Sequence, residues 1–277
     1  MATGLGGPGH ETRRVAVQVS TMIVAEAGLS FLGQYAKAVE LVNLAKQTGA
    51  DAVKFQTFLP SFSDALARFT LTAEEWYRLA AYCTEKGIIF MSTPFDRWGF
   101  DVLRDTGMKH WKIPSGELGN DEYLKAIPEQ AEFYYVSTGM AGIPTIQHAL
   151  DLLPSPVDKN ICLMYCVSGY PTPSNQLNLH TVLKWNLSEF PQYDTGFSDH
   201  TTDDCWAGIA VALGATVIEK HFCIESDTPD KAVNLCGEVP LRRFIGKIRK
   251  VERALGDGEK RMQACEVPTI GAQNRFK

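Results

Sequence analysis

From about residue 20 onward the chain alternates short β-branched or aromatic runs with longer stretches whose apolar residues recur at spacings of three and four, as in Leu41, Val42, Leu44 and Ala45. The short runs predict strands over 22–26, 52–56, 88–92, 110–113, 133–137, 161–165, 194–197 and 216–219. The longer stretches predict helices over 36–47, 73–86, 99–105, 121–127, 143–153, 179–187, 205–213 and 241–254. Thr72 and Glu75 form a capping-box pair ahead of one helix. Gly49, Gly87, Gly107 and Gly214 each stand where a helix stops before the next strand, and glycine accepts the left-handed conformation such a stop requires. Eight strands, each followed by a helix, predict a closed (β/α)8 TIM barrel in a single domain over 20–257. The rival is an open doubly wound sheet, but no Gly-rich dinucleotide fingerprint follows the first strand. Residues 1–19, Gly-rich and polar without the apolar middle of a secretory signal, read as a flexible lead-in. Residues 258–277 read as an irregular tail, too short for a second domain.

Composition narrows the class. Hydrophobic residues make up 45% and charged residues 21%, the balance of a globular protein with a substantial core. A net charge of −5 offers no general attraction for nucleic acid or an anionic membrane, so an anionic substrate needs a local cluster of positive charge. No apolar run approaches the roughly 18–20 residues of a membrane span. The seven cysteines are scattered and form no C-x-x-C pair, which favours a reducing, cytoplasmic setting.

In a barrel of this kind the chemistry sits at the C-terminal ends of the strands. Read in order, those ends supply Glu26; Lys54 and Gln56; Ser92 and Thr93; Lys112, Ser115 and Glu117; Ser137 and Thr138; Ser168 and Tyr170; Ser198 and His200; Glu219 and His221. Nearly every strand stops in groups able to bind phosphate, carboxylate or metal. His200 and His221 end the last two strands, so both imidazoles could hold one divalent cation with open positions for water and substrate. Two hydrogen-bonded histidines without metal fit the same spacing. Period-two alternation sends Glu219 and His221 to one side of their strand and Lys220 to the other, as an ion-pairing residue near the rim. Ser198 and His200 likewise share a side, leaving Asp199 for a turn or supporting role. Lys54 and Lys112 lie inside apolar strands, where a charge needs a match. A bound phosphate and carboxylate would provide one; so would Glu26 or Glu117 with no ligand. Trp76, Tyr77 and Tyr82 read as packing residues, and Arg242, Arg243, Lys247, Arg249 and Lys250 as the solvated face of the last helix.

Taken together, Ser92-Thr-Pro-Phe-Asp96, Lys112-Ile-Pro-Ser-Gly-Glu117, Ser137-Thr-Gly-Met140, Cys166-Val-Ser-Gly-Tyr-Pro-Thr-Pro173, Gly196-Phe-Ser-Asp-His-Thr201 and Glu219-Lys-His-Phe222 resemble the N-acetylneuraminate synthase family, which includes legionaminate and pseudaminate synthases. The resemblance covers roughly residues 20–257. It implies an enzyme that condenses phosphoenolpyruvate with an N-acyl hexosamine aldehyde, releases phosphate, and uses a divalent metal, manganese or magnesium. Carried over by motif, Lys54, Thr93, Lys112, Ser115, Ser137, Ser168 and Ser198 would surround phosphoenolpyruvate. His200 and His221 would hold the metal, and Gln56, Tyr170 and Asp230 would face the sugar. Glu26, Glu117 and Glu219 would manage protons, with the base left open between Glu26 and Glu219.

The chain departs from that pattern in places. Where the family reads Glu-Ile-Gly-x-Asn-His-x-Gly, this chain has Glu26-Ala-Gly-Leu-Ser-Phe-Leu-Gly33, so Ser30 and Phe31 are expected to make the sugar-facing surface more apolar. The segment 58–70 is shorter, the Gly-Pro-Asp-His stretch appears as Thr228-Pro-Asp-Lys231, and the family's antifreeze-like C-terminal domain is expected to be absent. A changed or less enclosed acceptor follows, with homodimerisation left open through the barrel itself. Two other readings stand beside the synthase: a Schiff-base barrel aldolase, and a non-catalytic relative that binds a phosphorylated ligand or a partner enzyme.

Overall fold

The computed structural model describes residues 20–154, 160–226 and 228–272; the lead-in over 1–19 and residues 273–277 of the expected tail lie outside them. Strands β1 (Met22–Gly28), β2 (Ala52–Thr57), β3 (Ile89–Pro94), β4 (His110–Ile113), β5 (Phe133–Ser137), β6 (Asn160–Tyr165), β7 (Asp194–Asp199) and β8 (Val217–Cys223) pair in parallel and in sequence order. β1 closes the ring against β8, from Met22 beside Val217 to Glu26 beside His221. Helices α1 (Tyr35–Thr48), α2 (Ala73–Lys86), α3 (Arg97–Asp105), α4 (Asp121–Ala126), α5 (Ile143–Leu152), α6 (His180–Lys184), α7 (Trp206–Ala212) and α8 (Glu238–Leu255) follow the strands in turn. This is the (β/α)8 barrel that the alternation predicts.

The local signals act as their chemistry requires. Thr72 Oγ1 accepts from the Glu75 N–H at 3.3 Å while Glu75 Oε2 accepts from the Thr72 N–H at 2.8 Å, completing the capping box of α2. Gly49 and Gly87 end α1 and α2 with φ of 94° and 63°. Other elements differ from the pattern. β7 and β8 reach Asp199 and Cys223, beyond the ends at 197 and 219 that their polar residues suggest. A charge inside a strand reads as a strand end, but here Asp199 and Lys220 are lateral neighbours that neutralise each other at 3.3 Å. Lys220 is ion-paired as expected yet lies buried, not at the rim. A two-residue strand, β9 (Leu235–Cys236), adds to β8 beyond the barrel, and residues 264–272 form a 3-10 run where an irregular tail is expected.

Two apolar layers hold the barrel. Inside it, Val24, Ala52, Met91, Tyr135, Cys162, Met164 and Val217 fill the lumen beneath the strand ends. Gly196 belongs to this fit, since a Cβ there would lie 2.3 Å from Met164 Sδ. Outside it, the strands pack on the helices through rings that include Phe31, Phe55 and Trp76, with Phe31 edge-on to Trp76 at 5.7 Å and to Phe55 at 5.9 Å.

Phe31 therefore does not face a sugar; it is fully buried between barrel and helices, and the apolar residue that the first loop sends to the cavity is Leu29. Arg249 also leaves its expected place on the solvated face of α8. Its guanidinium donates to the Thr21 carbonyl at 2.7 Å and to Asp51 at 2.8 Å, tying the helix to the entry of β1. Phe31→Ala is expected to lower stability by about 3–5 kcal/mol, the cost of emptying an aromatic site in a core. Chemical denaturation measures it, and an unchanged midpoint would place the ring outside the core.

Candidate active site

At the C-terminal ends of the strands the apolar plug gives way to a cavity of about 440 Å³. It is lined by Glu26 from β1, Lys54 and Gln56 from β2, Thr93 from β3, Lys112 from β4, Ser137 from β5, Ser198 from β7, and Glu219 and His221 from β8. Ser115, Ser168, Tyr170, His200 and Asp230 reach it from the loops. Of the strand-end residues, Ser92 and Thr138 turn away, Ser92 Oγ to Thr57 Oγ1 at 2.8 Å and Thr138 Oγ1 to the Met164 carbonyl at 3.1 Å, and Glu117 also stands apart. It lines a separate groove with Arg97 and Tyr123, where Asn120 Nδ2 donates to its Oε2 at 2.7 Å. The short turn Ser115–Glu117 rotates Ser115 inward and Glu117 outward.

The floor of the cavity is a layer of buried charge. Lys112 Nζ donates to both oxygens of Glu219, at 2.6 and 2.8 Å, and Ser198 Oγ donates to Glu219 Oε1 at 2.9 Å. Lys54 Nζ lies 2.9 Å from Glu26 Oε2, outside hydrogen-bonding alignment, and 3.5 Å from Glu219 Oε2. Two ammonium groups thus face two carboxylates in a low-dielectric site. Burial alone would raise the pKa of Glu219, but Lys112 and then Lys54 outweigh it and hold that carboxyl well below the usual range. Burial wins at Glu26 and pushes it up to about 7 against Lys54. The two glutamates therefore differ: one is a locked anion, the other titrates near neutrality.

Around this layer sit hydroxyls. Gly139 N–H donates to Ser115 Oγ at 3.0 Å, and a Cβ at Gly139 would meet Ser168 Oγ at 2.2 Å, so only glycine lets the two serines close in. On the other side, the rings of His200 and His221 stand 5.6 Å apart at 57°. Burial lowers the pKa of both, so both imidazoles are neutral. His200 Nδ1 lies 2.9 Å from the Val167 carbonyl, which makes it the protonated nitrogen and leaves the Nε2 lone pair facing the cavity as a hydrogen-bond acceptor or metal ligand. Tyr170 Oη sits 3.1 Å from that Nε2, and Asp230 Oδ2 lies 3.8 Å from His221 Nδ1. Among the described residues no third histidine, cysteine or carboxylate joins the pair in a ready-made metal cluster. Two neutral imidazoles, one with its second nitrogen anchored to a carbonyl, are nevertheless a donor set that a divalent cation with open positions accepts.

Leu29, Leu66, Phe95, Met140 and Pro229 also line the cavity and do not follow from strand-end chemistry, because an apolar rim residue carries no polar signal. Met140, the last residue of the Ser137–Met140 motif, holds φ of 65°, a backbone state uncommon for a side chain of its kind.

Residues 60–260 match the NeuB family. An N,N'-diacetyllegionaminic acid synthase of Campylobacter jejuni is 34% identical over 276 residues, covering 90% of this chain and 82% of that enzyme. The chain belongs to the NeuB family. The human N-acetylneuraminate-9-phosphate synthase is 29% identical across 92% of the chain and 77% of its own length. Among solved structures, the N-acetylneuraminic acid (sialic acid) synthetase of Leptospira borgpetersenii, in complex with citrate, superposes with a TM-score of 0.83 at 26% identity. That likeness covers 94% of this chain and 93% of the synthetase. The fold of this NeuB-family member is thereby shared over nearly the whole barrel.

The raised pKa of Glu26 has a measurable sign. The folded protein keeps this proton between the ordinary 4.5 and about 7, so the stability it contributes is complete below 4.5 and is lost as the pH rises through about 7. Ligand-free, metal-stripped protein should therefore lose roughly 3 kcal/mol across that window relative to Glu26→Gln. Denaturation midpoints at stepped pH test this, and parallel profiles for the two proteins would contradict it.

Proposed function

We propose that the protein condenses phosphoenolpyruvate with an open-chain N-acyl hexosamine aldehyde, forming a nonulosonic acid and releasing phosphate. The observation that carries the reading is the layer of Lys54 and Lys112 set against Glu26 and Glu219 beneath a ring of serines. Such a layer suits a small substrate with both a phosphate and a carboxylate, because charge-assisted bonds from lysines and hydroxyls replace its lost hydration. The names of the relatives, synthases of legionaminic acid and N-acetylneuraminate 9-phosphate, support the same assignment.

The residues divide the work by their electrostatics. Lys54 and Lys112, with Thr93, Ser115, Ser137, Ser168 and Ser198, bind the phosphate and carboxylate and aim C3 of phosphoenolpyruvate at the aldehyde. His200 and His221 would hold a divalent cation, manganese or magnesium, which supplies Lewis-acid polarisation of the aldehyde oxygen when bound. The C3–carbonyl bond forms from the enol π electrons, the aldehyde oxygen takes the proton that Glu26 holds in the phosphoenolpyruvate complex and becomes a hydroxyl, and positive charge develops at C2. Glu219, held ionised, meets that charge across a short low-dielectric gap. Glu26, left as a carboxylate by that transfer, takes a proton from the water that adds at C2 and passes it to the phosphate oxygen as the C2–O bond breaks. The same cleavage makes the C2 hydroxyl a ketone, and its proton restores Glu26. Gln56, Tyr170 and Asp230 face the acceptor together with Leu29 and Leu66. Glu117 has no part in this scheme.

An aldolase working through a Schiff base needs a free lysine amine. Here Lys112 donates to both oxygens of Glu219, and Glu219 and Glu26 overcome the burial of Lys54 to favour its ammonium form. The pairing favours anion binding over imine formation.

The test is phosphate release from phosphoenolpyruvate with a panel of N-acyl hexosamines and manganese. At least one acceptor should support turnover, and Lys112→Ala should raise the KM for phosphoenolpyruvate roughly tenfold or more while affecting the sugar less. Silence across the panel with metal demonstrably bound would favour a binding protein. A larger effect on the sugar would mean that the two halves of the site are exchanged.

A further inference from the structure

Behind the cavity, on the outer faces of β7 and β8, lies an ion pair that the chemistry above does not use. Asp199 and Lys220 are lateral neighbours, each immediately before a cavity histidine, and strand alternation turns them away from the cavity. Both are buried, at 0% and 1% exposure. Asp199 Oδ1 accepts from the Thr201 N–H at 2.8 Å and from Thr201 Oγ1 at 2.7 Å, and it faces Lys220 Nζ at 3.3 Å. Lys220 Nζ closes the loop by donating to the Thr201 carbonyl at 2.5 Å. The ring of contacts from Asp199 to Thr201 to Lys220 encloses the backbone of His200. On the opposite face, Ser198 and Glu219 are joined by their own hydrogen bond at 2.9 Å. The two strands are thus tied on both sides of the sheet one step before their histidines.

Buried ion pairs are poor stabilisers, because the lost hydration of both charges cancels most of their attraction, and packed apolar side chains would join two strands as well. What a charged pair adds is a fixed register and direction. We infer that Asp199, Lys220 and Thr201 form a positioning clasp that sets the separation and tilt of the His200 and His221 rings for a divalent cation. The inference rests on the proposed reading of those histidines as a cation-holding pair. None of the three touches substrate; they act through the backbone, and the His200 ring is then set by the Val167 carbonyl and by the Tyr170 ring, tilted 32° to it with centroids 4.2 Å apart.

The test uses the full chain carrying Asp199→Asn with Lys220→Met. The asparagine oxygen still accepts from Thr201, while the charge pair and the lysine arm are gone. Manganese affinity, followed by electron paramagnetic resonance of the free ion, is expected to fall about tenfold or more, as for other residues behind metal ligands. Metal-free phosphoenolpyruvate affinity and the melting midpoint should stay near those of the parent. Unchanged manganese affinity in the folded variant overturns the clasp. Should the parent itself bind no manganese, the cation reading fails, and the clasp is judged on the ring alone by nitrogen-15 spectra of His200. A single Nδ1–H form in the parent and a mixture in the variant supports it; identical spectra overturn it. If the double variant does not fold, Thr201→Val, which removes the hydroxyl that donates to Asp199 and contacts the Asp203 carbonyl, carries the same readouts with a smaller loss expected in the same direction.

Discussion

Four charges buried at one end of the barrel are the constraint around which this protein is organised. Lys54, Lys112, Glu26 and Glu219 come from four different strands, and each would be prohibitively costly at its depth without the others. Only a closed ring of strands brings them together, because β1 must return beside β8 to place Glu26 near Glu219. The apolar plug below keeps water out from beneath, which strengthens every interaction in the layer. The same burial separates the two glutamates into a fixed anion and a group poised near neutrality. In the proposed chemistry that difference assigns one to hold charge and the other to move protons.

Much of this was legible in the sequence for a simple reason. Barrel strands are short, alternate regularly with amphipathic helices, and end in polar residues where the site is, so one scan of strand ends finds the cavity lining. What failed to show was whatever depends on side-chain direction within a turn or on pairing between strands. Glu117 sits two residues from Ser115, yet the tight turn after β4 sends it to a different groove. Phe31 replaces a polar residue of the family pattern, but its ring packs inward on Trp76 and Phe55 while Leu29 takes the cavity. Asp199 and Lys220 looked like strand ends because a charge in isolation signals solvent; their mutual match, which extends both strands, is a property of the register and not of either segment.

In the proposed chemistry the acceptor side follows the opposite logic to the anion side. Its rim of Leu29, Leu66, Phe95 and Pro229 is apolar, and its polar groups, Gln56, Tyr170 and Asp230, are only partly enclosed. Under that proposal, recognition there rests on shape and a few hydrogen bonds, where related sugars differ by small energies. Within one family the anion half can stay constant while this half changes. The relatives of this chain accordingly carry the names of synthases for different sugar acids.

The most direct measurement of the central claim is calorimetric titration of metal-free protein with phosphoenolpyruvate at pH 8 in buffers of different ionisation enthalpy. A dianionic or trianionic ligand entering a layer already balanced by two glutamates must raise the affinity of Glu26 for protons. The account predicts uptake of up to about one proton on binding in the parent protein and none in Glu26→Gln. Binding without proton uptake, or uptake that survives in Glu26→Gln, would contradict it.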